Sequence, residues 1–219
     1  MAIETREMYQ NRFRETLVFR DKMWKILCKN FFQKFIPEES VVLEVAAGYC
    51  EFINNIHAQK KIAVDINTDT KERANKDIEV IINKSSDLSG IQSNTVDVVF
   101  MSNFLEHIPK EEILLTFKEV NRILKKNGKL LILQPNIKFV GNDYWMFFDH
   151  ITPLDHHSLT EALLLTGYRI DTCIPRFLPY TTQSALPKSL LLIKIYLMLP
   201  FLWRFFGGQT FVIAGKDSE

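Results

Sequence analysis

The sequence predicts an α/β fold: seven strands in a mostly parallel sheet, with helices on both faces. Two observations predict it. Short apolar runs alternate with amphipathic segments of helical length, the pattern of a parallel sheet buried on both sides. Three successive apolar runs also end near an acid, at Glu44, Asp65 and Asp87, which puts three carboxylates at one sheet edge.

Residues 5–36 carry a helical period, with Phe13, Leu17, Trp24, Cys28, Phe31 and Phe35 on one stripe and Pro37 as the stop. This is one long helix or two short ones. The run 41–46 (VVLEVA) is the first strand, and a short helix is expected in 51–58. Strand two is 61–66, followed by a polar helix in 67–76. Strands three and four are 78–83 and 96–101. Pro109 opens the next helix, whose apolar face is Ile113, Leu114, Phe117, Val120 and Leu124, and Asn127-Gly128 is expected to end it. Strand five is 129–134. An aromatic stretch, 135–157, leads to a helix with Ser158 and Glu161 as its capping box and Gly167 as its stop. Strands six and seven are 168–174 and 209–215.

Composition narrows the function. The chain has 219 residues, 47% of them hydrophobic, enough for one domain with a full core. With 27 Lys+Arg against 26 Asp+Glu, a general electrostatic nucleic-acid binder is not expected. Cys28, Cys50 and Cys173 fit neither a zinc site nor a disulfide framework, which points to a reducing, cytoplasmic setting. The opening MAIETREMYQ has no apolar signal core, so secretion is not expected.

The first strand runs into Ala46-Ala47-Gly48-Tyr49-Cys50, a turn of small residues that lets a ligand approach the backbone. An acid closing the second strand of such a unit accepts hydrogen bonds from a ribose, and one after the third strand can accept from an adenine amino group. These blocks resemble those of class I, Rossmann-like S-adenosylmethionine-dependent methyltransferases. The acid–x–Gly–x–Gly–x–Gly motif of that family stands here as Glu44-Val45-Ala46-Ala47-Gly48-Tyr49-Cys50. Its later blocks stand as AVDIN, SSDLSG, 96–109 and 123–136. The resemblance covers roughly residues 40–173, in order, plus strand seven. It implies S-adenosylmethionine as cofactor and a small-molecule acceptor. It also implies Glu44, Ala46, Gly48, Asp65, Ile66, Asp87, Leu88 and Asn103 as cofactor-binding residues. Residues 1–38 become a helical lid offering Tyr9, Arg12 and Arg14 to the methionine carboxylate, 39–174 and 209–216 the core, and 175–208 an apolar insertion. Two motif glycines are replaced. Alanine permits close approach, while Cys50 is expected to give up the left-handed backbone that glycine adopts.

Methyl transfer asks for alignment and exclusion of water, and a hydroxyl acceptor gains from a base. His150, in the aromatic stretch, and His107, after strand four, are the expected catalytic residues. His57, His156 and His157 read as surface or structural. Asp149, His150, Asp155, His156 and His157 offer metal ligands close in sequence, but their spacing matches no known geometry, and no metal is expected. Similarity to glycan-pathway members implies a hydroxyl of a sugar or glycan precursor as acceptor. Two other classes compete with this reading. A nicotinamide-dependent enzyme needs a Gly-x-Gly-x-x-Gly turn, which is absent. A non-catalytic partner subunit is favoured by the lost glycines and disfavoured by the retained acids. Residues 188–206 are strongly apolar, with Lys194, Pro200 and Arg204 interrupting them. They form a poor membrane span. Packing on this chain or on a second copy as a homodimer is preferred over contact with a membrane surface.

Overall fold

The computed structural model describes residues 17–180 and 189–217. Strands β1 (Val41–Val45), β2 (Lys60–Asp65), β3 (Ile78–Ile82), β4 (Val96–Ser102), β5 (Leu124–Pro135), β6 (Tyr168–Ile174) and β7 (Gln209–Lys216) form a seven-stranded sheet. Their order is β3-β2-β1-β4-β5-β7-β6. The first five strands run parallel, and β7 inserts antiparallel between β5 and β6. The helices are α1 (Leu17–Asn30), α2 (Thr70–Arg73), α3 (Lys110–Ile123), α4 (Ile137–Val140), α5 (His156–Leu164), α6 (Leu190–Met198) and α7 (Pro200–Phe206).

They cover both faces, as the apolar runs require. Under α3 and α5, Phe117, Val120, Leu159 and Leu163 meet Leu43, Val99 and Ile132 from the sheet. On the other face, α1 and α7 contribute Trp24, Leu27 and Trp203 to an aromatic core with Phe31, Phe32, Phe100, Phe177 and Phe211. Phe31 stacks on Phe177 with ring centroids 4.2 Å apart, and Phe52 on Phe100 at 3.8 Å.

Several boundaries differ from the sequence reading. The N-terminal helical run breaks at Asn30, and a 3-10 turn, Phe32–Phe35, completes it before Pro37. The helices expected in 51–58 and 67–76 shrink to a 3-10 turn at Ile53–Asn55 and the single turn of α2. Asn127-Gly128 does not end a helix. The helix stops at Ile123, and residues 125–128 bulge out of β5, since Leu124 pairs with Val96 while Lys129 already pairs with Val98. Helix α5 starts earlier than expected, because Asp155 is its N-cap and Ser158 the third helical residue. The Asp155 carboxylate accepts from the Ser158 N–H at 2.8 Å, and the Ser158 hydroxyl accepts from the Asp155 N–H at 3.0 Å.

The apolar insertion becomes α6 and α7. Only Leu197 and Trp203 of the pair are buried, and α6 packs along α1. Leu191, Met198, Phe201, Phe205 and Phe206 remain exposed. No described helix is long and apolar enough to cross a membrane.

Candidate active site

The parallel register fixes the site. Val45 of β1 pairs with Val64 and Met101, and Asp65 with Ile82, so β1, β2, β3 and β4 all end at one edge. Immediately after β1, the chain turns through Ala46 (φ 55°), Gly48 (φ 52°) and Cys50 (φ 59°). All three motif positions are left-handed although only one is glycine. Cys50 thus keeps the conformation it was expected to give up. Its burial among core residues, with Sγ toward the Thr70 carbonyl at 3.8 Å, holds it there. Left-handed backbone costs a non-glycine residue about 1–2 kcal/mol. Ala46→Gly therefore raises stability by up to about 1 kcal/mol, after subtracting the unfolded-state entropy that glycine adds. A higher urea midpoint at constant m-value checks this.

The turn is tied to Asp65. One carboxylate oxygen accepts from the Gly48 N–H at 2.7 Å, the other from the Asn67 N–H at 2.7 Å. Burial raises the Asp65 pKa against the pull of these bonds. The Thr70 hydroxyl donates to the Gly48 carbonyl at 3.0 Å. Glu44 is buried and accepts from the Ile53 N–H at 3.1 Å, and burial holds its pKa well above the ordinary carboxylate value.

A cavity of about 430 Å³ opens at this edge. Glu44, Ala46, Gly48, Asn103, His107 and His150 all line it. Asp65, Ile66, Asp87 and Leu88 stand outside its walls, after β2 and β3. Ile66 and Asp87 are exposed, and Asp87 accepts from the Ser89 N–H at 3.1 Å. Leu88 is buried, and its N–H is donated to Glu119 at 3.0 Å, so that group is already engaged. Tyr9, Arg12 and Arg14 lie outside the described residues. Among the described residues, the cation at the cavity is Arg20 of α1, whose Nε donates to Glu51 at 2.9 Å.

The segment after β4 brings polar groups to the cavity, Ser102, Asn103, Glu106 and His107. The loop after β5 folds back on the residues after β4, because the Ile151 and Thr152 N–H groups both donate to the Glu106 carbonyl, at 2.9 and 3.1 Å. The Tyr144 hydroxyl donates to the Thr152 carbonyl and pins the loop. His150 is thereby brought against His107, ring centroids 4.8 Å apart, with Tyr144 and Phe147 around it. Burial depresses the His107 pKa, but the Glu106 and Asp149 carboxylates outweigh it and leave the pKa raised. Glu106 is buried and accepts from the Gln134 amide at 2.8 Å, and burial raises its pKa. Asp155, His156 and His157 belong to the start of α5, so the ligands close in sequence are not the ones brought together.

Sequence reasoning missed Glu106, Arg20 and the cavity-lining Gln209. Glu106 did leave a signal: an acid inside the apolar run FLEHI has to be satisfied within the fold.

Residues 43–132 match a family model described as a methyltransferase domain. No curated protein matches the sequence. Among solved structures, an S-adenosylmethionine-dependent methyltransferase from Archaeoglobus fulgidus is similar, with a TM-score of 0.68 at 19% identity, over 95% of this chain and 98% of that one. A chain of the Haloferax volcanii complex between the Trm112 methyltransferase activator and a methyltransferase gives 0.67 at 13%, over 96% of each. A Thermotoga maritima protein described as a possible histamine N-methyltransferase gives 0.67 at 16%, over 95% of each. The fold is therefore that of the class I S-adenosylmethionine-dependent methyltransferases, and S-adenosylmethionine is the cofactor that the matched domain and this fold support.

Proposed function

We propose that this chain is a cytoplasmic enzyme that transfers the methyl group of S-adenosylmethionine to a hydroxyl of a small acceptor, a sugar or glycan precursor that carries an apolar portion. One observation supports this above the others. A single cavity runs from the Ala46–Gly48 turn to His107 and His150, with an apolar wall of Leu192, Ile193 and Leu202. The sulfonium makes its own methyl group electrophilic. The protein has to hold the acceptor oxygen in line with the C–S bond and keep water away.

Within this reading the cofactor lies along the edge from Glu44 and Gly48 to Asp65, Ile66 and Asp87, with Asn103 beneath it. Helix α1, through Phe19, Met23 and Trp24, serves as a lid. His150 and His107 act on the acceptor hydroxyl. The test is calorimetric titration of the purified protein with S-adenosylmethionine, followed by a search for methylated products among hydroxyl-bearing acceptors. Absence of binding by the folded protein overturns the proposal. Binding with no transfer to any acceptor favours a cofactor-binding partner subunit.

The acceptor's apolar portion is inferred from α6 and α7. Their exposed Leu192, Ile195 and Phe206 also line the cavity, so the exposed apolar surface continues into the site. Lys194 and Arg204 stand exposed among them. A lipid surface that presents the acceptor fits this arrangement, since cations at the rim of an apolar patch meet anionic headgroups. The protein is expected to co-sediment with anionic vesicles and to be released by salt. Failure to sediment, with a dimer found by light scattering, assigns the patch to a second copy instead.

A further inference from the structure

We infer that Glu106, His107 and His150 form a binding site for a divalent transition-metal ion, open to the cavity, whose remaining coordination positions take the oxygen of the hydroxyl acceptor. The three side chains come from two segments, the 3-10 turn Leu105–His107 after β4 and the loop after β5. One ligand atom from each lies within 4.8 Å of the other two.

The spacing argues for an ion. Glu106 Oε1 stands 3.8 Å from His107 Nε2 and 3.9 Å from His150 Nε2. Hydrogen bonds between such groups close to about 2.7–3.2 Å, so these two pairs are not hydrogen-bonded. Two ligands at about 2.1 Å from one metal ion stand about 3.0–4.2 Å apart, depending on the angle. Both separations fall in that range, and the widest, within 4.8 Å, exceeds it by about half an ångström, so one ring has to shift by that much to close the site.

The surroundings of Glu106 and His107 turn their ligand atoms toward each other, with His150 Nε2 3.9 Å from the same Glu106 oxygen. The Gln134 amide donates to Glu106 Oε2 and leaves Oε1 to the imidazoles. Asp149 sits on the other side of His107, its carboxylate and its carbonyl each 3.1 Å from Nδ1, which turns Nε2 toward Glu106. A carboxylate behind a histidine is the usual outer shell of a metal ligand, and it fixes the tautomer and the ring plane. Glu106 is almost fully buried, and a cation would compensate its charge. Two imidazoles and one carboxylate with open positions suit first-row divalent metals.

The inference deepens the methyl-transfer reading and rests on it for the role of the ion. The bound cation would acidify the acceptor hydroxyl, whose proton leaves to solvent. The oxygen forms its bond to the methyl carbon as the C–S bond breaks, and that electron pair goes to sulfur. The products are a methyl ether, S-adenosylhomocysteine and one proton.

The test uses Co2+ alone, without cofactor or acceptor, followed by its visible absorption. Uptake of one equivalent is expected. His107→Ala, His150→Ala and Glu106→Gln each weaken it by at least about a hundredfold, and Asp149→Ala, which spares the three ligands, by about 10–100-fold. His157→Ala, on the exposed start of α5, leaves it unchanged. Near-UV circular dichroism identifies any variant that has lost its fold, and Asp149→Ala then carries the comparison. No uptake by the folded protein, or uptake unchanged in all four variants, overturns the site. Because methyl transfer plays no part in the titration, the two readings fail separately. Co2+ uptake without S-adenosylmethionine binding removes the methyltransferase reading and keeps the metal. Cofactor binding and turnover undiminished by a chelator, with no Co2+ uptake, does the reverse.

Discussion

Replacing His150 with alanine is expected to lower turnover by about 10²–10⁴ while the affinity for S-adenosylmethionine stays unchanged. The split arises from position. His150 lines the cavity against His107 and near Glu106, whereas the Ala46–Gly48 turn and Asp65 belong to the ends of β1 and β2. In the proposed reading His150 acts on the acceptor side, directly or through a bound ion, and such a group contributes to the chemical step and little to cofactor binding. The measurement is kcat beside a calorimetric Kd on the same preparation. His107→Ala gives the companion value, and comparable losses in both variants mean that the pair acts as a unit. Full turnover in both would remove these histidines from the mechanism.

The second large effect is expected at Asp65. Its two oxygens already hold the Gly48 and Asn67 N–H groups, and each oxygen keeps a further lone pair for a ribose hydroxyl. The residue therefore shapes the turn and, in the proposed reading, also meets the ligand. Hydrogen bonds to a charged group contribute about 1.5–3 kcal/mol each. Asp65→Ala should weaken S-adenosylmethionine binding at least about tenfold and also lower the melting temperature of the unliganded protein. Asp65→Asn is a sharper probe. Its amide has one acceptor oxygen for two N–H groups, so one of them faces an NH2 and the turn loosens without loss of volume. Unchanged affinity in both folded variants would take the cofactor away from this edge.

The strands were legible because each is an apolar run bounded by polar or small residues, and burial on both faces leaves such a run no other use. Boundaries were less so, because one signal serves several structures. Asn127-Gly128 reads equally as a helix stop or a bulge, and only the pairing of Leu124 with Val96 decides. Asp155 with Ser158, and Ser158 with Glu161, both have capping-box spacing, and the hydrogen bonds select the earlier pair. The shared edge at which the strands end was readable because an acid recurs at the ends of consecutive strands. His107 and His150 were named from the sequence, but their meeting with Glu106 was not readable. That meeting depends on the loop after β5, which hangs on the Glu106 carbonyl and is held by the Tyr144 and Thr152 hydroxyls, contacts that no local pattern announces.

The place of β7 has a consequence for how the sheet assembles. Among the described residues, β6 reaches the rest of the sheet only through β7, and β7 follows the other six strands in sequence while pairing with β5 on one side and β6 on the other. Until residues 209–216 are in place, β5 presents an open edge and β6 has no partner. Helices α6 and α7, which connect β6 to β7, can then meet α1, Phe31 and Phe177, but their aromatic core still lacks Phe211 and Ile213 of β7. The refolding chain therefore passes through a state with an unpaired edge strand beside its most apolar segment, and closing contacts this distant in sequence is slow. Refolding yield should fall as protein concentration rises, since that edge and that segment are the surfaces on which partly folded chains aggregate.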